Sequence, residues 1–220
     1  MRNALGTGAF AVVGAALVAA CGDDPDAARV FRDDFDSLVT GWELSDGAEI
    51  EGGSLHLTAG TDGSPEATYT FPTPYGPGWE FESYFGLTAG IACLAIEVST
   101  GDERRHTWAV DVRIHQVLQD MDQFREVEWS LQVGDGDGWE FVGGSARELF
   151  VTPMQAKLRV SGDAVTFWWQ DAEVLSKTVL GASQEVVSVK LEATRCRIRA
   201  GAMAIDWIQL SELDLQPEGS

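Results

Sequence analysis

The chain has 220 residues, of which 15 are basic and 35 are acidic, and its net charge is −20 at pH 7. A polyanion is repelled at long range by such a protein, so the composition argues against a nucleic-acid partner. It favours solubility instead and is compatible with cation binding.

The first 20 residues have the order of a secretory signal peptide. Arg2 precedes an apolar run from Ala4 to Ala20, and the run ends in small residues. A spanning helix needs at least about 17 apolar residues, and the glycines within this run weaken it as a permanent span. The pattern therefore predicts a signal at residues 1–20 that is cleaved.

The end of this segment indicates a lipid anchor. Residues 17–21, Leu-Val-Ala-Ala-Cys, resemble the bacterial lipobox, whose cysteine receives diacylglycerol before cleavage. The resemblance implies lipidation of Cys21 and attachment to a lipid bilayer of the bacterial cell envelope, and Gly22 favours the outer membrane over the inner one. The alternative is a plain secretory signal with an incidental cysteine.

Residues 21–29 are predicted to be the lipidated cysteine and a polar tether. An extended chain spans about 3.3 to 3.6 Å per residue, so this tether reaches at most roughly 30 Å. A domain held by it is expected to lie close to the bilayer.

Residues 30–213 are long enough for one domain, and no linker-like stretch interrupts them. Apolar and polar residues alternate through residues 107–115 and 126–133, which is the period of a half-buried strand. Similar runs occur at residues 54–58, 67–71, 79–85, 91–98, 157–160, 165–169, 186–192 and 205–210. Only residues 116–126 have room for a helical turn or two. So many short strands predict an all-β sandwich or barrel, followed by a disordered tail at residues 214–220.

Two stretches of this domain carry a family resemblance. The first comprises residues 31–36, Trp42 and residues 52–57, Gly-Gly-Ser-Leu-His-Leu, and the second comprises residues 157–172 with a closing strand at residues 204–210. In this order they resemble the concanavalin A-like lectin/glucanase superfamily, which includes laminin-G-like modules. The resemblance implies a two-sheet antiparallel jelly roll whose last strand returns beside the first, and it implies a carbohydrate ligand.

Two cysteines besides Cys21 are present, Cys93 and Cys196. An even pair in an oxidising compartment is a disulfide candidate, and a bond closing so long a loop contributes about 4 to 5 kcal/mol on the chain-entropy model. The alternative is two buried free thiols, because the sequence does not show that the two residues meet.

Five residues in polar strand phases are candidate ligand contacts: Asp111, Arg113, His115, Arg159 and Trp168. Trp168 has the opposite phase from Phe167, so its flat indole is placed to stack on a sugar ring, and Trp139 at a loop tip is a second candidate. The alternatives are a surface ion-pair set for the charged residues and a second packed layer for Trp168. The phases of four other tryptophans predict core positions: Trp108, Trp129, Trp169 and Trp207.

Glucanases of this superfamily carry their catalytic carboxylates at alternate positions of one strand, typically in the pattern Glu-x-Asp-x-x-Glu. No such run occurs here, and the nearest pairs are Glu80 with Glu82 and Glu126 with Glu128. Retaining hydrolysis needs two carboxyl groups about 5 to 5.5 Å apart, which neighbours on one strand can approach. The leading prediction is non-catalytic binding of glycan or another envelope component by one polar sheet face that includes Glu126 and Glu128. The alternatives are a hydrolase that uses this pair and a purely structural envelope protein.

A structural calcium ion is the one cofactor that the sequence suggests. The Asp-Gly-Asp-Gly run at residues 135–138 begins like a calcium loop but lacks the later ligands. A different site is predicted where Asp33, Asp34 or Asp36 meets Asp206, because jelly-roll modules often bind an ion between the first and last strands.

Overall fold

A computed structural model describes residues 28–36, 41–59, 63–90, 93–100, 106–119, 122–134, 139–144, 148–149, 153–194 and 201–213. The backbone alone is described at residues 87–90, 106, 111, 113–119, 122–127, 139, 148–149 and 194. The predicted signal, Cys21, most of the tether and the predicted tail lie outside the described residues. Within the described ranges no helix is long and apolar enough to span a bilayer.

All regular structure in these ranges is β-strand. The strands are β1 (Val30–Asp33), β2 (Trp42–Leu44), β3 (Ala48–Glu51), β4 (Ser54–Ala59), β5 (Glu66–Tyr75), β6 (Trp79–Gly90), β7 (Cys93–Thr100), β8 (His106–Gln119), β9 (Asp122–Gly134), β10 (Trp139–Gly144), β11 (Glu148–Leu149), β12 (Met154–Ser161), β13 (Ala164–Trp169), β14 (Ala172–Thr178), β15 (Val186–Thr194) and β16 (Gly201–Glu212).

The described strands form two antiparallel sheets of eight strands each. Sheet A has the order β14-β13-β12-β6-β16-β4-β3, and β1 also pairs with β16. Sheet B has the order β10-β9-β8-β7-β15-β5-β2, and β11 pairs with β9. The last strand therefore lies beside the first, and the predicted two-sheet antiparallel sandwich is confirmed.

The core lies between the sheets and is lined by alternate residues of each strand. Trp108 and Trp129 enter it from sheet B, and Phe167 and Trp169 enter it from sheet A; each of the four is at most 3% exposed. Burying side chains of this size contributes about 1.5 to 3 kcal/mol each, so the period-two pattern of the sequence is also the main source of stability.

Trp207 is not a core residue, and that prediction is wrong. The β6–β16 register shifts between Ile205 and Trp207, so Ile205 and Ile208 are both fully buried. Trp207 is left on the outer face of sheet A, where its ring stacks on Tyr84 with centroids 5.7 Å apart. A bulge changes which face a residue occupies, and simple alternation cannot reveal it.

The described residues of the segment 116–126, where the sequence left room for a helical turn, are strand. β8 and β9 pair without interruption from Thr107 opposite Gly134 to Gln119 opposite Asp122. Local helix propensity is a weak preference, and the ladder of cross-strand hydrogen bonds overrides it here.

Arg29, the last residue of the predicted tether, is held at one end of the sandwich, which we call its pole. The backbone N–H of Glu212 donates to the Arg29 carbonyl at 2.8 Å. The Arg29 guanidinium lies 4.1 Å from the Tyr75 ring centroid and donates to the Pro74 carbonyl at 3.0 Å. Arg29 is thus held at the end of β5 and β16.

Candidate functional site

The five predicted ligand contacts do not share one face. Asp111, Arg113 and His115 belong to β8 of sheet B, whereas Arg159 and Trp168 belong to β12 and β13 of sheet A. The outer faces of two packed sheets point in opposite directions, so the single polar face predicted from these residues is wrong. The part of each residue in ligand binding stays a prediction.

Trp168 is enclosed by cations on the outer face of sheet A. Lys157 Nζ lies 4.7 Å and Arg159 Cζ lies 5.4 Å from its ring centroid. Arg159 is also paired with Glu80 at 2.6 Å. A cation–π contact uses the ring face on which a sugar would stack. Because Lys157 and Arg159 already lie over the Trp168 ring, this ring is a poor platform for a sugar.

The outer face of sheet B offers a different arrangement. The register aligns five side chains across adjacent strands: Lys190, Glu97, Ala109, Gln132 and Phe141, which we call the central row. Ala109 points away from the core, yet it is only 4% exposed. Its longer neighbours therefore shield it, and the row has charged residues at one end, a small residue in its floor and an aromatic ring at the other end.

Lys190 is held between two carboxylates. Its Nζ lies 3.0 Å from Glu97 Oε2 and 3.2 Å from Glu192 Oε2, and all three side chains are 19 to 27% exposed. Burial alone lowers the pKa of the Lys190 ammonium, but the hydrogen bonds and charges of the two glutamates outweigh it and raise the pKa above its ordinary value. The ammonium is thus charged and firmly positioned at neutral pH.

Phe141 is an exposed aromatic ring on this face. In the described residues four large apolar side chains are strongly exposed: Val30, Leu44, Leu180 and Phe141. Phe141 is 58% exposed, and it is the only aromatic residue among the four. An exposed aromatic ring at the end of a polar row is a feature that a ligand with an apolar face can use.

The strand that carries Phe141 is well supported. The next residue, Val142, is 5% exposed, and its carbonyl accepts a hydrogen bond from Lys177 Nζ at 2.7 Å. A Cβ added at Gly143 would lie 2.7 Å from Leu175 Cδ1, so β10 packs closely against β14 of sheet A at this position. These contacts close the edge of the sandwich and fix the backbone beneath Phe141.

The β8–β9 ladder extends the same face through three cross-strand pairs: Asp111 with Ser130, Arg113 with Glu128, and His115 with Glu126. They alternate with the core residues Val110 and Val112. The side chains of Asp111, Arg113, His115 and Glu126 lie outside the described residues, as does that of Trp139. Their register positions nevertheless place the predicted β8 residues beside the central row.

The acid pair Glu80 and Glu82 lies on sheet A. Glu80 is bound by Arg159, and Glu82 accepts a short hydrogen bond from Gln155 Nε2. Both carboxylates are therefore engaged by neighbouring strands. The predicted catalytic role of Glu126 and Glu128 stays a prediction.

Asp33 has a structural role. It is 3% exposed, its Oδ1 accepts the Phe35 backbone N–H at 2.8 Å, and its Oδ2 accepts the Trp42 indole N–H at 2.8 Å. A buried carboxylate needs such donors, and here they tie the turn after β1 to β2.

The other aspartates of the predicted calcium site do not form a three-carboxylate cluster. Asp34 pairs with Arg32 at 2.7 Å, and Asp206 accepts the Ser54 hydroxyl at 3.0 Å. Across the described residues no group of three or more His, Cys, Asp or Glu side chains is arranged to hold a metal, and this covers Asp36 as well. Calcium binding stays a prediction.

The register is compatible with the predicted disulfide. Cys93 begins β7, is 8% exposed and pairs with Thr194 of β15. Cys196, two positions after Thr194 in the sequence, lies outside the described residues. The Cys93–Cys196 bond stays a prediction.

The sandwich has counterparts among solved structures. The CBM2 module of Lactobacillus casei BL23 phage J-1 evolved Dit superposes with a TM-score of 0.64 at 12% identity, over 86% of this chain and 99% of that one. β-Agarase B from Zobellia galactanivorans gives 0.63 at 9% identity, over 86% and 95% of the two chains. Bacillus licheniformis β-glucanase gives 0.54 at 10% identity, over 84% and 98%. No protein-family model and no curated protein sequence matches the chain.

These similarities establish the class of the fold. The chain has the concanavalin A-like jelly-roll fold that glucanases and carbohydrate-binding modules share, as its sequence resemblance implied. Because the sequence identities are only 9 to 12%, these similarities show the fold alone.

Four residues of the candidate site were not singled out by the sequence: Glu97, Phe141, Lys190 and Glu192. Lys190 and Glu192 do alternate with apolar residues, so their polar phase was visible. What the sequence could not give is the pairing of β15 with β7, which brings Lys190 to Glu97.

Proposed function

We propose that the domain binds carbohydrate without catalysis, and that the glycan lies across the outer face of sheet B. The observation that carries this proposal is the position of Phe141. Its ring is 58% exposed and ends the same cross-strand row that holds Lys190 and Glu97.

The central row matches the chemistry of a sugar chain. A pyranose ring has apolar C–H faces, which pack on an aromatic ring, and hydroxyl edges, which form their strongest hydrogen bonds with charged groups. From β15 to β10 the row crosses four strand spacings of about 4.8 Å, which is about 19 Å. A row of this length suits several consecutive sugar residues.

The similar solved structures support a glycan as the ligand class. Their names describe a carbohydrate-binding module, an agarase and a glucanase. Because the likeness concerns the fold, the choice of face for this chain depends on its own side chains.

The surroundings of Lys190 favour binding over hydrolysis. A retaining hydrolase needs one carboxyl group protonated as the general acid and another free as the nucleophile. On the outer face of sheet B, Glu97 and Glu192 both accept hydrogen bonds from the one ammonium of Lys190. This arrangement orients polar groups and does not separate an acid from a base.

The same proposal includes a place for the domain at the cell envelope, on a lipid at Cys21. Arg29 is fixed at one pole of the sandwich, and the seven residues that separate it from Cys21 let the chain reach roughly 30 Å at most. A glycan bound by the domain would thus belong to the envelope or lie just outside it.

Affinity electrophoresis of the full chain in detergent, through gels containing different polysaccharides, tests the function. At least one glycan is expected to retard the protein, and no reducing sugar is expected to be released on prolonged incubation. Retardation by none of the glycans would contradict carbohydrate binding. Release of reducing sugar would contradict the non-catalytic part, and Glu126→Gln and Glu128→Gln would then decide whether the predicted acid pair is responsible.

A further inference from the structure

The charge of the outer face of sheet B restricts the kind of glycan it can take. Its outer-phase positions in β7, β15 and the paired segments 107–115 and 126–134 hold five carboxylates, namely Glu97, Asp111, Glu126, Glu128 and Glu192. The same positions hold two permanent cations, Lys190 and Arg113. Carboxylates therefore outnumber cations on this face as they do in the whole chain.

The described cation of this face is already engaged. Lys190 donates to Glu97 and Glu192, and only one of its three N–H groups remains for a ligand. A sugar carboxylate or sulfate that approached Lys190 would also come close to both glutamates. The repulsion between the ligand's anionic group and these two carboxylates is substantial, because Lys190, Glu97 and Glu192 are largely shielded from water.

We infer that the ligand of this face is an uncharged or amine-bearing glycan, and that uronate and sulfated glycans are rejected. The inference rests on the proposed function, because it assigns a ligand class to the same face. An uncharged sugar leaves the Lys190 pairings intact and adds hydroxyl hydrogen bonds. An anionic sugar meets no cation without a carboxylate partner among the described side chains of this face.

Polymers that share a backbone and differ in charge test this inference with the full chain. Suitable probes are glycol chitin, glycol chitosan and carboxymethyl chitin, together with hydroxyethyl and carboxymethyl cellulose. Any other polysaccharide that binds in the functional screen is compared with its own carboxymethyl derivative. At low ionic strength the anionic form is expected to bind at least tenfold more weakly than its uncharged or amine-bearing counterpart, and the difference should shrink in 0.5 M salt.

Two double variants with equal charge changes assign the effect to a face. Glu97→Gln with Glu192→Gln is expected to reduce the discrimination at least threefold, whereas Glu80→Gln with Glu82→Gln on sheet A should leave it unchanged. The comparison of polymers with the unaltered protein is decisive even if a variant folds poorly. An anionic polymer that binds as tightly as its uncharged counterpart would overturn the inference and leave the proposed function standing. Absence of binding to every polymer would instead overturn the proposed function, and the inference with it.

Discussion

Replacement of Phe141 by alanine is expected to weaken glycan binding about thirty-fold without unfolding the domain. An aromatic anchor of a binding surface commonly contributes about 2 kcal/mol, and each 1.4 kcal/mol corresponds to a factor of ten in affinity. The ring is 58% exposed, so its loss removes little of the packing that stabilises the fold. Substitutions of this kind usually change stability by less than about 0.5 kcal/mol.

Isothermal titration with the glycan found in the screen measures this effect, and a thermal melt of the same sample checks the fold. Leu180→Ala is the matched control, because Leu180 is an exposed apolar side chain, 82% accessible, in the turn after β14 and not part of the central row. Trp168→Ala tests the alternative stacking position and is expected to leave affinity unchanged. If Phe141→Ala keeps wild-type affinity while Trp168→Ala loses it, the site lies on sheet A.

Replacement of Lys190 by methionine is expected to lower the free energy of unfolding by about 2 kcal/mol at pH 7. Methionine keeps much of the apolar stem but leaves Glu97 and Glu192 without the ammonium between them, and removing one partner from a shielded ion pair is costly. The figure lies below the value for fully buried pairs because these side chains are 19 to 27% exposed. For a domain of this size it corresponds to a fall in Tm of about 5 °C.

The pH dependence of the stability lost in Lys190→Met identifies the cause of the loss. In the wild type the pKa of Lys190 is raised above 10.5, so its contribution is complete at neutral pH and is lost only as the pH rises through the raised value. The variant lacks this ammonium, so the difference in Tm between the wild type and Lys190→Met should shrink as the pH rises from 7 to about 11.5. Lys157→Met, which removes from sheet A a half-buried cation without a carboxylate partner among the described side chains, is the control and should show a smaller loss. An equal difference in Tm at both pH values would mean that lost packing is responsible.

The strands of this fold were accessible to sequence reasoning because their signal is local. A period of two exposes one face of each strand, and it correctly placed Trp108, Trp129 and Trp169 in the core. It failed where the period is broken. The register shift before Trp207 reversed that residue's face, and β10 was hidden because its Gly143 and Gly144 interrupt the alternation.

The candidate site was much less accessible, because it depends on which strands become neighbours. Lys190 and Glu97 are more than ninety residues apart, and only the pairing of β15 with β7 joins them. The same uncertainty misled the prediction of one polar face. Asp111 and Trp168 both have an outward phase, yet they belong to opposite sheets. The phase of the alternation tells whether a side chain points into the core or out of it. The sheet topology tells on which outer face an outward side chain lies.

The most direct test of the binding face is a crystal structure of the protein with an oligosaccharide of the polymer that it binds. We expect the sugar to lie across the outer face of sheet B, with one ring against Phe141 and hydroxyl groups within hydrogen-bond distance of Lys190 or Glu97. A sugar bound instead over Trp168 on sheet A, or at the loops of either pole with the central row empty, would contradict the account.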